Sequence, residues 1–183
     1  MISNSIAQFK YYKQLADKAM AQISENDMKN QINRDDNSIS VIIRHMSGNM
    51  KSRWTNIFEE DGEKPWRQRD AEFEYSDETK DELLEIWESG WNVLFETLNS
   101  LSESDLARII YIRNEGMSVG DAILRQLCHY SYHCGQIVSK SKLLKGGDWV
   151  SLSIPKNGSE TYNESKFIKR RVEKHFLDDL LDH

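Results

Sequence analysis

The chain has 183 residues, 30% of them charged, a formal net charge of -6 and a pI of about 5.4. This length fits one domain with its own core, so residues 1–183 are expected to form a single domain. The acidic balance argues against a nucleic-acid partner, because a phosphate backbone favours concentrated Lys and Arg. No apolar run approaches the roughly 20 residues of a membrane span, and no signal-peptide core is present, so a cytoplasmic protein without a membrane partner is expected.

Four long helices are predicted, because apolar residues recur at spacings of three and four along four stretches. These stretches cover about residues 3–23, 38–58, 76–98 and 118–144. The polar segment 59–75 is long for a loop in a compact domain. We expect it to travel the length of a bundle as a crossover, which would make the second and third helices parallel.

Shorter elements are predicted around the fourth helix. The β-branched and aromatic stretch 106–113, followed by Asn114-Glu115-Gly116, favours a short β-hairpin in which Met117 and Ser118 return. Residues 149–162 are predicted to be a loop, and residues 164–181 a short C-terminal helix. The expected fold class is therefore all-α, a four-helix bundle with a small hairpin before the fourth long helix.

Two histidines, His129 and His133, lie four residues apart in the fourth predicted helix. Four residues are about one helical turn, so both imidazoles leave the same face and can share one divalent metal ion. His45 in the second predicted helix is the candidate third ligand. Three histidines with an open fourth position are typical of a catalytic metal site.

Polar residues share the faces of these histidines. Arg125, Gln126 and Gln136 lie beside His129 and His133, and Asn49 lies beside His45. They are candidate pocket groups that could orient an imidazole or bind a substrate. The same pattern also fits ordinary solvent-exposed histidines, and periodicity alone does not separate the two interpretations.

The remaining side chains are assigned structural roles. Leu124, Leu127, Cys134 and Val138 are placed on the opposite side of the fourth helix. Cys128 and Cys134 are expected to be reduced, small core residues rather than ligands, since one helix keeps them beyond disulfide distance. We expect core positions for Trp54, Trp87 and Trp91, and surface positions for His175 and His183.

The chain resembles the DinB-like superfamily of bacterial metal-binding four-helix bundles, and more narrowly a Bacillus-type branch of it. His45 and the pattern His129-x-x-x-His133-x-Gly135-Gln136 carry the resemblance, which extends over about residues 1 to 160. The segments that match are 43–49, 61–70, 125–137 and 149–155.

This resemblance implies an up-down-down-up bundle and a zinc or nickel ion held by His45, His129 and His133. It also implies a homodimer and a small-molecule substrate. Some members of the superfamily transfer a low-molecular-weight thiol to an electrophile or act as thiol-dependent isomerases. A metal-dependent transferase that uses a thiol is therefore the first functional hypothesis.

Two other functions are kept open. Three neutral imidazoles leave the metal charge uncompensated, so a bound water could reach a pKa of about 7 and serve a hydrolase. No Asp or Glu is evident beside the three histidines as a general base, which weakens that hypothesis. The third is a non-catalytic, stress-associated metal-binding protein. No catalytic residue is assigned.

Overall fold

A computed structural model describes residues 1–173 and residue 177 of the chain. The described residues are mostly helical and include one small antiparallel sheet. The elements are α1 (Ile2–Met20), α2 (Glu25–Lys29), α3 (Ile39–Trp54), α4 (Lys80–Ser100), β1 (Ile109–Ile112), β2 (Glu115–Ser118), α5 (Val119–Lys145) and α6 (Ser159–Phe167). The fold is therefore all-α apart from the hairpin. Among the described residues, no helix is both long and apolar enough to cross a membrane.

Local capping signals explain where the long helices begin. The hydroxyls of Ser38, Thr79 and Ser118 each accept a hydrogen bond from the backbone N–H three residues later. These bonds satisfy donors that the first helical turn leaves without partners. α5 ends at Lys145 and is followed by Gly146, whose φ of 64° is favourable for glycine. α3 ends at Trp54, four residues before the predicted end, because the chain turns at Asn56 with a φ of 48°.

α3 and α4 pack closely along their lengths. The Ser47 hydroxyl donates to the Ile86 carbonyl at 2.8 Å, and the Thr97 hydroxyl donates to the Trp54 carbonyl at 2.7 Å. The residue numbers of the contacting pairs rise together, so these two helices run in the same direction. The segment 55–79 between them, called the crossover below, therefore returns along the molecule.

α1 packs against α5. The rings of Phe9 and Tyr130 lie 5.9 Å apart, and Gln22 exchanges two hydrogen bonds with the backbone of Val150, just beyond α5. These contacts also rise together along the two helices, so α1 and α5 run in the same direction. The two parallel pairs share one core.

The core contains the apolar stripes predicted from the sequence. Trp54, Trp87 and Trp91 are buried, as predicted. One expectation on α5 is wrong: Cys128, expected in the core, is exposed, and Leu124 on the same helix is exposed as well. Their helix turns another face inward, whose buried members are Val119, Ala122, Ile123, Gln126, Tyr130, Cys134, Ile137 and Ser141.

The predicted hairpin is present, but its turn is earlier than expected. Arg113 and Asn114 form the turn, with φ angles of 57° and 61°. The carboxylate of Asp61 accepts hydrogen bonds from both of their backbone N–H groups at 2.8 Å. The crossover segment is thus attached to the hairpin, and this contact could not be foreseen from local patterns.

The C-terminal prediction is corrected in part. α6 begins at Ser159, inside the stretch predicted to be a loop, and ends at Phe167. Residues 174–176 and 178–183, which include His175 and His183, lie outside the described part of the chain. The expectations for those two histidines therefore stay untested.

Candidate metal centre

The structure brings His45, His129 and His133 together. Each contributes one ring nitrogen to a group whose atoms all lie within 4.8 Å of one another. His45, on α3, is 8% exposed, whereas the two histidines on α5 are half-buried. Residues 84 positions apart in the chain therefore meet where α3 passes α5.

Each imidazole has a hydrogen-bond partner at Nδ1. His45 Nδ1 lies 3.0 Å from a Glu72 carboxylate oxygen, and the Nδ1 atoms of His129 and His133 lie 3.2 and 2.7 Å from the amide oxygens of Gln126 and Gln136. An oxygen acceptor at Nδ1 favours the tautomer that carries its proton there. The lone pair is then on Nε2, which is the arrangement of a metal-ligating histidine.

The Nε2 atoms of His129 and His133 lie 3.1 Å apart. Two nitrogens bound to one tetrahedral zinc at the usual bond length are separated by about 3.3 Å. The ring of His45 approaches the same place, with its centroid 5.6 Å from that of His129 and 5.1 Å from that of His133. The donor set could thus hold a divalent transition-metal ion, for which imidazole is a common ligand.

Burial keeps the imidazoles of His129 and His133 neutral. It lowers the pKa of His129 to about 3, together with the neighbouring His133, His45 and Arg125. Burial also lowers the pKa of His133, although the hydrogen bond to Gln136 opposes this change. A metal ion binds the neutral imidazole, so both side chains are in the required form at neutral pH.

Glu72 is the site residue that sequence reasoning missed. The expectation that no acid lies beside the histidines is wrong, because a 3₁₀ turn at Asp70–Phe73 in the crossover carries Glu72 to His45. Burial raises the pKa of Glu72, but hydrogen bonds from His45 and Arg67 outweigh burial and hold the pKa below its usual value. No spacing or periodicity in the crossover marks this residue. The segment of family resemblance in the crossover, residues 61–70, ends two residues before Glu72.

Of the four predicted pocket residues, two form hydrogen bonds with the histidines and two do not. Gln126 and Gln136 contact the histidines directly, as described above. Asn49 is buried but instead accepts a hydrogen bond from the hydroxyl of Tyr130 at 2.9 Å. Arg125 is exposed, and its charge contributes to the lowered pKa of His129.

Aromatic rings flank the histidines. Phe73 follows Glu72 and places its ring 5.1 Å from that of His45, and the ring of Tyr132 lies 5.1 Å from that of His133. Tyr132 is 63% exposed, so this edge of the site meets solvent. A separate apolar cavity of about 370 Å³ lies between α1, residues 152–158 and Tyr162, away from the histidines.

Comparisons with known proteins identify a family and no individual relative. Neither the curated proteins nor the solved structures contain a match to this chain. The family model described as "Protein of unknown function (DUF1572)" matches residues 1–158, which include all three histidines, Glu72 and both glutamines. The chain therefore belongs to the DUF1572 family.

Proposed function

We propose that this protein binds one divalent metal ion through His45, His129 and His133. One observation carries the proposal: three ring nitrogens converge, while an oxygen acceptor occupies Nδ1 of every ring. Histidines on an ordinary polar surface have no reason to share this arrangement. The burial that keeps His129 and His133 neutral also favours a ligand role.

We further propose a metal-dependent enzyme that transfers a low-molecular-weight thiol to a small electrophile. A divalent cation at three neutral imidazoles acts as a Lewis acid and lowers the pKa of a coordinated thiol or water. Glu72 is engaged by His45 and Arg67, so it is not free to act as the general base that a hydrolase would need. This engagement favours the transferase over the hydrolase.

Membership of the DinB-like superfamily is part of the proposal, since DinB-like proteins carry the DUF1572 domain. An up-down-down-up arrangement of α1, α3, α4 and α5 is proposed with it. The two parallel helix pairs described above support this arrangement. The Lys80 ammonium also donates to the Met20 carbonyl at 3.0 Å, while Phe9 contacts Trp91, so α1 and α4 run in opposite directions.

The metal content of tag-free protein tests the first proposal. We expect about one zinc or nickel ion per chain by elemental analysis, and loss of that ion in a His129→Ala/His133→Ala double variant, because two of three ligands are removed. Ser139→Ala serves as a control on the same helix, since its side chain is exposed and is not one of the three histidines. Absence of bound metal in the wild-type protein after supplementation with zinc, nickel and manganese would sink the proposal.

Activity assays separate the remaining functions. A transferase requires added thiol and loses turnover in His45→Ala, whereas a hydrolase turns over without thiol. Metal binding without turnover on panels of electrophiles and esters would favour the non-catalytic function. A homodimer is proposed from the resemblance alone, and sedimentation of the purified protein tests it. A cytoplasmic location is proposed because the two cysteines are expected to be reduced.

A further inference from the structure

Arg67 clamps the carboxylate of Glu72 beside His45. Arg67 Nε donates to one carboxylate oxygen at 2.8 Å, and Arg67 Nη2 donates to the other at 2.9 Å. The two side chains are 2% and 10% exposed. A two-bond contact of a guanidinium with a carboxylate restricts both groups. The oxygen that faces His45 Nδ1 is therefore held in one position.

Gly48 provides the space for this carboxylate on α3. A Cβ atom at residue 48 would lie 2.2 Å from Oε1 of Glu72 and 2.9 Å from its Cδ. Neither distance is compatible with the carboxylate in its present place. Residue 48 is three positions after His45, so the two residues share a helix face. The approach of Glu72 to His45 thus depends on a glycine there.

Other ion pairs anchor the same part of the crossover. Arg67 Nη1 lies 3.8 Å from the Glu63 carboxylate, and Arg53, near the end of α3, donates to Glu63 at 2.9 Å. Arg113 of the hairpin turn lies 3.1 Å from the same carboxylate. A chain of alternating charges therefore extends from the hairpin to the candidate metal centre. Glu72 is its last member.

We infer that Glu72 is a positioning residue for the metal site, delivered by the crossover segment and oriented by Arg67. This inference rests on the proposed metal-binding function. Glu72 holds the His45 ring with its proton on Nδ1 and its Nε2 lone pair directed toward the other histidines. The partners of His129 and His133 are neutral amides on α5, three residues from each ring. Of the three histidines, only His45 has a charged partner from a distant segment. The negative charge of Glu72 raises the basicity of His45 Nε2, the nitrogen that would bind the metal.

Two independent substitutions remove this contact. Glu72→Ala deletes the carboxylate. Gly48→Ala displaces it through steric overlap with the new Cβ atom and leaves residue 72 unchanged. Loss of an outer partner of a ligating histidine lowers metal affinity by about 10- to 100-fold. We expect that loss in both variants, measured as zinc affinity in competition with a chromogenic chelator. The double variant should bind about as weakly as either single one, because both changes break the same contact.

Glu63→Ala is the matched control, since it disturbs the same ion-pair chain without touching His45, and its affinity should stay within about threefold of wild type. Glu72→Gln keeps an acceptor for Nδ1 and should recover part of the affinity. Nitrogen-15 NMR of the metal-free proteins gives a second readout. His45 should be the Nδ1–H tautomer in the wild-type and Glu63→Ala proteins, and a mixture of tautomers in Glu72→Ala.

The outcomes separate the two proposals. If the wild-type protein binds zinc and Glu72→Ala binds equally well, the positioning role is wrong and the metal site stands. If the wild-type protein binds no metal, the proposed function is wrong. The NMR comparison then still decides the role of Glu72, since an unchanged His45 tautomer in Glu72→Ala would overturn it.

Discussion

Tyr130→Phe removes one oxygen atom from the contact between the two helices that carry the histidines. The Tyr130 hydroxyl donates to the Asn49 side-chain oxygen at 2.9 Å and accepts from Trp54 Nε1 at 3.2 Å. Tyr130 lies on α5 and is fully buried, whereas Asn49 and Trp54 lie on α3. Burial also raises the pKa of this hydroxyl, so it stays protonated and able to donate.

The expected destabilisation follows from these two hydrogen bonds. Phenylalanine keeps the ring contacts with Phe9 and Trp91, so little packing is lost. One buried acceptor and one buried donor lose their partner, and each such loss costs about 1–3 kcal/mol. The free energy of unfolding should therefore fall by roughly 2–6 kcal/mol, and Tm by about 4–24 °C for a chain of this size.

Urea unfolding and calorimetry of metal-free protein measure this effect. The midpoint should fall while the m-value stays constant, because the surface exposed on unfolding does not change. Tyr132→Phe is the matched control on the same helix, since its exposed hydroxyl accepts only from Gln136 in the described structure, at 3.0 Å. That change should stay within about 0.5 kcal/mol of wild type. A Tyr130→Phe protein as stable as the control would refute the reasoning.

Three further predictions concern packing, pH and thiol reactivity. Gly90→Ala places a Cβ 2.7 Å from Ser47 Cα, so overpacking of about 1–3 kcal/mol should outweigh the helix-propensity gain of about 1 kcal/mol and lower Tm. Gly135→Ala, with open space around its Cβ, should raise Tm instead, and the same thermal scan compares the two. His129 is neutral in the fold down to a pKa of about 3 but titrates near 6.5 when unfolded, so metal-free protein should lose stability as pH falls from 6.5 toward 3. His129→Ala should reduce that slope in urea unfolding, and an unchanged slope would contradict the assignment. Cys128 is exposed, whereas burial raises the pKa of Cys134, so a disulfide reagent should modify one thiol in the native protein and the second only after unfolding.

The four long helices were predictable because their signals are local, although α3 ends earlier than predicted and the short helices α2 and α6 were not predicted with these bounds. Ser118 and Gly146 limit α5 through a hydroxyl cap and a positive φ angle, and both residues can be recognised in the sequence. The periodic apolar stripes identified the buried tryptophans for the same reason. The hairpin turn was displaced because Asp61, 52 residues before Arg113, binds the turn's backbone. A contact between residues so far apart in the sequence produces no periodic pattern from which it could be predicted.

The candidate site also combines contacts that follow from local sequence with contacts that depend on helix packing. Helical spacing brings His129 and His133 to one face of α5, and it also brings Gln126 and Gln136 to their Nδ1 atoms. These contacts lie within about one turn, so the sequence contains them. Periodicity could not decide whether the two histidines lie on a solvent-exposed face or form a site together with His45. It depends on how deeply α3 and α5 lie against each other.

The sequence by itself determined the four long helices, the Ser118 cap of α5, the apolar stripes and the pair of histidines, because each follows from interactions within a few residues. The tertiary structure alone decided that His45 meets that pair, and that Glu72 and Arg67 arrive from the crossover beside it. Such contacts join segments that are far apart in the chain and that meet only because whole helices pack together. Gly48 is the clearest example of a residue explained only by the tertiary structure. The Glu72 carboxylate occupies the space that a Cβ atom at residue 48 would fill.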